Sequence, residues 1–132
     1  MFEKNFINKI KNNNIYNLLI NYGKKIPFYP QKYKINKYLL NDCQTNVWLF
    51  FFYKKKKIFI LGKSNSNIIN GIIYLIIKIY SNKTPIEILK YKTKLFNKIK
   101  LEKILSINRY IGILNIIKKV KLNALKYINF KK

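Results

Sequence analysis

Val47-Trp48-Leu49-Phe50-Phe51-Phe52-Tyr53-Lys54-Lys55-Lys56-Lys57-Ile58-Phe59-Ile60-Leu61 decides the fold. Two runs rich in aromatic and β-branched residues flank four lysines. Such runs favour strands. Four consecutive charges between them read as a solvated hairpin turn rather than a phosphate patch. Val47 to Tyr53 is then one strand, and Ile58 to Leu61 is its antiparallel return, ended by Gly62. Upstream, Lys37 to Leu40 reads as a short strand leading into a polar loop. The expected sheet has three antiparallel strands.

Helical periodicity surrounds this sheet. Residues 2–11 read as a short frayed helix. Asn13 or Asn14 is placed to cap the next one. Ile15, Leu18, Leu19 and Tyr22 then form an i, i+3, i+4, i+7 stripe, with Gly23 as a C-terminal stop. Pro27 and Pro30 mark residues 26–35 as an extended connection. Ser64 or Ser66 caps a helix over about 66–80, apolar on most of its circumference and so the central core helix. Thr84-Pro85-Ile86-Glu87 has the form of a capping box with proline at the first helical position. Residues 94–104 read as a further helix. A last one runs from about Asn108 to Ile128, with Ile113, Ile117, Val120, Ala124 and Ile128 on one side and Lys118, Lys119, Lys121 and Lys126 mostly elsewhere. The class is α+β, a three-stranded antiparallel sheet with helices packed on one face.

A length of 132 residues suits one domain, 1–132, with a single core. The longest apolar stretch, Ile68 to Tyr80, is broken by Asn70, Gly71 and Lys78. At about 13 residues it falls short of the roughly 20 that span a bilayer. No N-terminal targeting segment stands out. One cysteine, no histidine and four acids exclude a disulfide scaffold and leave too few ligands for a structural zinc site.

The formal charge of +24 suggests a phosphate-rich partner, and a small basic RNA-binding protein of ribosomal type is the alternative class. But Lys, Asn, Ile, Tyr and Phe share A/T-rich codons, and arginine, the better bidentate phosphate ligand, occurs once, at Arg109. A biased genome, of the sort found in organelles and reduced endosymbionts, accounts for the lysines better than selection for nucleic acid does. Lysine positions then say little, and the rare Asp42, Cys43, Trp48 and Arg109 say more.

Cys43 has polar neighbours on both sides, Asn41 and Asp42, then Gln44, Thr45 and Asn46. On the residues alone it is either a buried core cysteine or a functional thiol. Without histidine, a Cys–His nucleophile is excluded. What remains is thiolate chemistry on sulfur, or none.

Five segments then match one family in order. Leu19-Ile20-Asn21-Tyr22-Gly23-Lys24-Lys25-Ile26-Pro27 is similar to its helix ending in Gly, a basic pair, an apolar residue and Pro. Cys43-Gln44-Thr45-Asn46-Val47-Trp48 resembles Cys-Gln-Ser-x-Val-Trp. Gly62 to Ile72 resembles a segment carrying Asp-Ser-Asp and Ile-Val-x-Gly. Tyr80 to Leu89 resembles Tyr-x-x-x-Thr-Pro-x-Glu/Asp-Ile/Leu. Leu105-Ser106-Ile107-Asn108-Arg109-Tyr110-Ile111-Gly112-Ile113 resembles Leu-Ser/Thr-Pro-Ser-Arg-x-x-Gly-Leu. Over residues 15 to 128 the chain thus resembles the SufE family of sulfur-acceptor proteins. It departs at Asp42, where the family has Gly, at Lys63 and Asn65, where it has acids, and at Ile107, where it has Pro.

The resemblance implies a SufE/IscU-like fold and a non-enzymatic accessory role in iron–sulfur cluster assembly. Cys43 would carry persulfide sulfur from a SufS-like cysteine desulfurase to a SufBCD-like scaffold. Asp42, Gln44, Thr45, Trp48 and Arg109 would support the loop or touch the partner. It implies no bound cofactor, since pyridoxal phosphate belongs to the desulfurase. Neither a specific nucleic acid nor a membrane is an expected partner. The implied compartment is the cytoplasm of a bacterial endosymbiont or an organelle stroma. A relative that keeps the fold without sulfur transfer is the remaining rival, motivated by Asp42 and Asn65.

Overall fold

A computed structural model describes residues 5–6, 8–9, 14–40, 45–92 and 106–128, the side chain of Arg109 excepted. The order is α1 (Ile15–Gly23), two short 3-10 turns (Gln31–Tyr33 and Asn36–Tyr38), β1 (Val47–Lys54), β2 (Lys57–Ser64), α2 (Asn67–Tyr80), α3 (Pro85–Lys90) and α4 (Ile107–Ile128). Asn5, Phe6, Asn8 and Lys9 are helical too. The helix expected over 94–104 lies outside the described residues, as does the rest of the one expected over 2–11.

The hairpin forms as the sequence implies. β1 and β2 pair antiparallel from Val47↔Ser64 to Lys54↔Lys57. Only Lys55 and Lys56 lie in the turn, at φ 51° and 67°. Two central residues with positive φ match the right-handed strand twist, as in a type I′ turn. Four lysines therefore divide into a closing pair and a two-residue turn. β2 does not stop at Gly62 but continues to Ser64. Gly62 is there for space, since an added Cβ would lie 2.8 Å from Ile73 Cγ2 on α2.

The sheet has two strands among the described residues, not the expected three. Residues 36–38 turn instead of extending, because Tyr38 and Leu39 donate their amides locally to the carbonyls of Ile35 and Asn36. Those donors are lost to a ladder. What remains of the third strand is a single bridge, Leu39↔Trp48.

Val47, Leu49, Ile58 and Ile60 are buried on one face with α2, the apolar helix. Ser66 caps α2 by accepting from the amide of Ile69, and Asn14 caps α1. α1 packs on α2 so closely that a Cβ on Gly71 would lie 2.1 Å from the Leu19 carbonyl oxygen. Gly23 has no positive φ, so it serves less as a left-handed stop than as a gap for α2. A Cβ there would lie 2.9 Å from the Asn67 carbonyl oxygen. α3 has the full capping box between Thr84 and Glu87. α4 buries Ile113, Ile116, Val120 and Ala124, while Ile117 and Ile128 are only half-buried. Tyr127 stacks on Tyr53 with ring centroids 4.8 Å apart, tying the end of α4 to β1.

The sheet's other face is not bare. Tyr33 stacks on Phe50 at 3.8 Å, and Tyr38 meets Phe50 edge-on at 5.1 Å. The α-helices thus take one face, as expected, and the two 3-10 turns cover part of the other. Lys121, expected outside with the other lysines, instead reaches inward. It donates to the carbonyls of Ile88 and Tyr91 at the C-terminal end of α3 and lies over the Tyr80 ring. A cation there complements the helix dipole, and burial lowers its pKa, with Lys92 adding to the effect.

Candidate functional site

On either side of Cys43 in the sequence, the chain is joined by a short stem. Leu40 donates its amide to the Val47 carbonyl at 2.8 Å, and Leu39 bridges Trp48 one step further down. Six residues, 41–46, separate the bonded pair. Asn41, Asp42, Cys43 and Gln44 lie outside the described residues. Thr45 is half-buried and Asn46 exposed, immediately before β1 begins.

Trp48 is the anchor of this stem, at 8% exposure. It sits in β1 between buried Val47 and Leu49, paired across the sheet with Lys63. The Lys34 ammonium lies 4.9 Å from its ring centroid, within cation–π range. Beneath it the aromatic layer is tied together. Tyr29 is buried and donates its hydroxyl to the Tyr33 carbonyl at 2.8 Å. Burial, helped by Tyr38, pushes the Tyr29 pKa up to about 12, so Tyr29 stays a hydrogen-bond donor at any ordinary pH.

A hollow of ≈650 Å³ lies beside the stem. Leu39, Leu40 and Phe50 wall it on one side. Lys118, Leu122 and Asn123 of α4 wall it on the other. Asn123 Oδ1 is buried in its wall with no hydrogen-bond donor among the described residues.

A second support lies where β2 passes into α2, and Asn70 holds it. The Ser64 amide donates to Asn70 Oδ1 at 2.7 Å, and Asn70 Nδ2 donates back to the Ser64 carbonyl at 3.0 Å. The Ser66 amide adds a bond to Ser64 Oγ at 3.2 Å. Asn70 is buried, and both ends of its amide are paired. Sequence reasoning missed this role, although the signal is present: a polar residue inside the most apolar helix must have partners.

Of the proposed site residues, Asp42, Cys43 and Gln44 lie outside the described residues. Thr45 and Trp48 stand at the stem. Arg109 is in the first turn of α4 and its side chain is not described. Asn115, a residue lining the hollow, is six positions further along, about 9 Å at 1.5 Å per residue. Among the described residues no three His, Cys, Asp or Glu side chains cluster, and none of the helices is long and apolar enough to cross a membrane.

The chain is similar to known proteins in sequence and in fold. A family model described as "SufE: Fe-S metabolism associated domain" matches residues 2–124. A "Cysteine desulfuration protein SufE" of Wigglesworthia glossinidia brevipalpis is 34% identical over 125 residues, covering 93% of this chain and 87% of the relative. A protein of the same name from Plasmodium falciparum is 32% identical over 105 residues, 76% of this chain and 42% of the longer relative. In three dimensions the chain is similar to a hypothetical protein of Thermus thermophilus solved in solution, with a TM-score of 0.76 at 14% identity and 96% coverage of both. That likeness concerns the fold alone.

Proposed function

The chain belongs to the SufE family, and from that membership we propose that it accepts sulfur from a cysteine desulfurase on Cys43 and activates that enzyme in doing so. The observation that carries the reading is where Cys43-Gln44-Thr45-Asn46-Val47-Trp48 falls. On either side of Cys43 in the sequence, Leu40 and Val47 are joined by a backbone hydrogen bond, and Trp48 is buried just beyond. These neighbours support a defined place for the thiol, and the chemistry asks nothing more of the chain than a thiol.

The step is a sulfur exchange. The desulfurase releases sulfur from cysteine and holds it as a persulfide on its own cysteine. The Cys43 thiolate attacks the outer sulfur of that persulfide. A bond forms between Cys43 Sγ and the outer sulfur, and the sulfur–sulfur bond in the desulfurase breaks. The desulfurase cysteine leaves as thiolate. One sulfur–sulfur bond is made and one is lost, so no external oxidant or reductant enters. Cys43 then passes the sulfur to a thiol of an iron–sulfur scaffold of the SufBCD kind by the same exchange.

In this reading the protein is an accessory rather than an enzyme. It binds no cofactor of its own, because pyridoxal phosphate serves the desulfurase. Nucleic acid and membrane are not partners. The setting is a bacterial cytoplasm or an organelle stroma. The test is alanine release from cysteine by the desulfurase, with and without this chain. Stimulation by the wild type and none by Cys43→Ser is expected. Equal stimulation by both would refute the role of the thiol.

A further inference from the structure

α4 has a second apolar stripe that the core does not use. Its buried stripe is Ile113, Ile116, Val120 and Ala124. On the opposite side Ile107, Ile111, Leu114, Lys118, Leu122 and Leu125 fall at helical spacing along a single line. The five apolar members are between 45% and 73% exposed. Single exposed leucines are ordinary, but a line of five is not. From Ile107 to Leu125 it runs about 27 Å along the axis.

Its setting argues for the occupant. Lys118 interrupts the line at its middle, and Lys119 and Lys126 are exposed along one edge. Among the described residues Glu87 is the one acid, and its carboxylate is taken by the Thr84 amide. No carboxylate on the described surface is left to balance these lysines. With a formal charge of +24, a second copy would bring Lys118 and its neighbours against like charge. A complementary surface is apolar along its middle and bordered by carboxylates. The stripe also continues toward the loop stem, because Leu122 and Lys118 wall the same hollow as Leu39 and Leu40.

We infer that α4 is the docking ridge for the desulfurase, which grips it with an apolar groove rimmed by Asp or Glu and so brings its persulfide to the loop. The inference rests on the proposed sulfur-acceptor role and adds the surface and its chemistry.

The experiment uses the full chain and the cysteine desulfurase of the same genome. Calorimetry gives Kd at about 0.05 M and about 0.3 M salt, where screening differs strongly. The variants are Ile111→Ser with Leu114→Ser, Leu125→Ser, and Lys118→Glu. A parallel assay loads Cys43 from glutathione persulfide, which needs no docking. The double serine variant is expected to raise Kd about tenfold or more and to load from glutathione persulfide at the wild-type rate. Lys118→Glu is expected to raise Kd more at low salt than at high. Wild-type Kd in all three variants, with sulfur transfer from the desulfurase intact, would overturn the docking ridge and leave the acceptor role standing. An equal loss in both assays would place the effect at the thiol and overturn the ridge. No binding or transfer with the wild type would overturn the acceptor role and the ridge together. Sedimentation showing a wild-type dimer that Leu125→Ser dissociates would overturn the ridge and assign the stripe to a second copy.

Discussion

The amide of Leu40 points at the carbonyl of Val47 across 2.8 Å, and Cys43 lies between those two residues in the sequence. The strand expected over 37–40 has shrunk to this bond and the Leu39↔Trp48 bridge. These two rungs join the chain on either side of residues 41–46. The remaining holding force comes from side chains: Trp48 under the Lys34 ammonium, and Tyr33 and Tyr38 around Phe50.

The tightest backbone approach is between α1 and α2. Gly71→Ala puts a methyl group against the Leu19 carbonyl, and the clash is with backbone, so a helix must shift to relieve it. A loss of about 3 kcal/mol is expected, at the upper end of ordinary overpacking. Urea unfolding checks it. A loss below about 1 kcal/mol would mean that the helices part at small cost.

The hairpin turn holds Lys56 at φ 67°, a region that costs a side chain and costs glycine nothing. Lys56→Gly is expected to stabilise by about 0.5 to 1 kcal/mol. Thermal unfolding in the presence of about 0.15 M salt separates this from simple charge removal, with Lys56→Gln as the charge control. Equal gains from Gly and Gln would assign the effect to charge.

Glu87 titrates below the ordinary carboxylate range, because the Thr84 amide donates to it and the Thr84 side chain adds to this. A folded-state pKa below the unfolded one gives stability that is present above the unfolded pKa. It is lost as pH falls through the folded value. Wild type should therefore melt above Glu87→Gln at about pH 7, and the gap should narrow at about pH 3. A gap that is the same at both pH values would assign it to packing rather than charge.

The hairpin, the caps of α1, α2 and α3 and the span of α4 were legible in the sequence. Each depends on neighbours in the chain: Asn14, Ser66, the Thr84–Glu87 box, the lysine turn. What escaped depends on partners far along it. The strand at 37–40 failed because Tyr38 finds Phe50. Asn70 reads as an interruption of a helix until Ser64 is seen across from it. Lys121 reads as one more lysine of a biased composition, yet it closes the end of α3. At the site, the motif marks Thr45 and Trp48, and it is silent on the hollow and on α4 beside it.

Asp42 stands where the family has glycine, next to Cys43. Neither residue is among those described, so the expectation comes from the sequence. A neighbouring carboxylate favours the protonated thiol, and lysines beyond about 10 Å are screened. Asp42→Gly should lower the pKa read from the pH dependence of Cys43 alkylation. It should also speed sulfur uptake, modestly, because a less basic thiolate is a weaker nucleophile. An unchanged or higher pKa in the glycine variant would show that Asp42 faces away from the sulfur.

The most direct measurement is of the sulfur itself. The wild-type chain and Cys43→Ser are each mixed with the desulfurase and cysteine labelled in its sulfur, then separated without reductant. The expected result is label on the wild type, released by dithiothreitol and mapped to Cys43, and none on the serine variant, whose melting temperature is unchanged. Label retained on Cys43→Ser, or an unlabelled wild type beside an active desulfurase, would contradict the account.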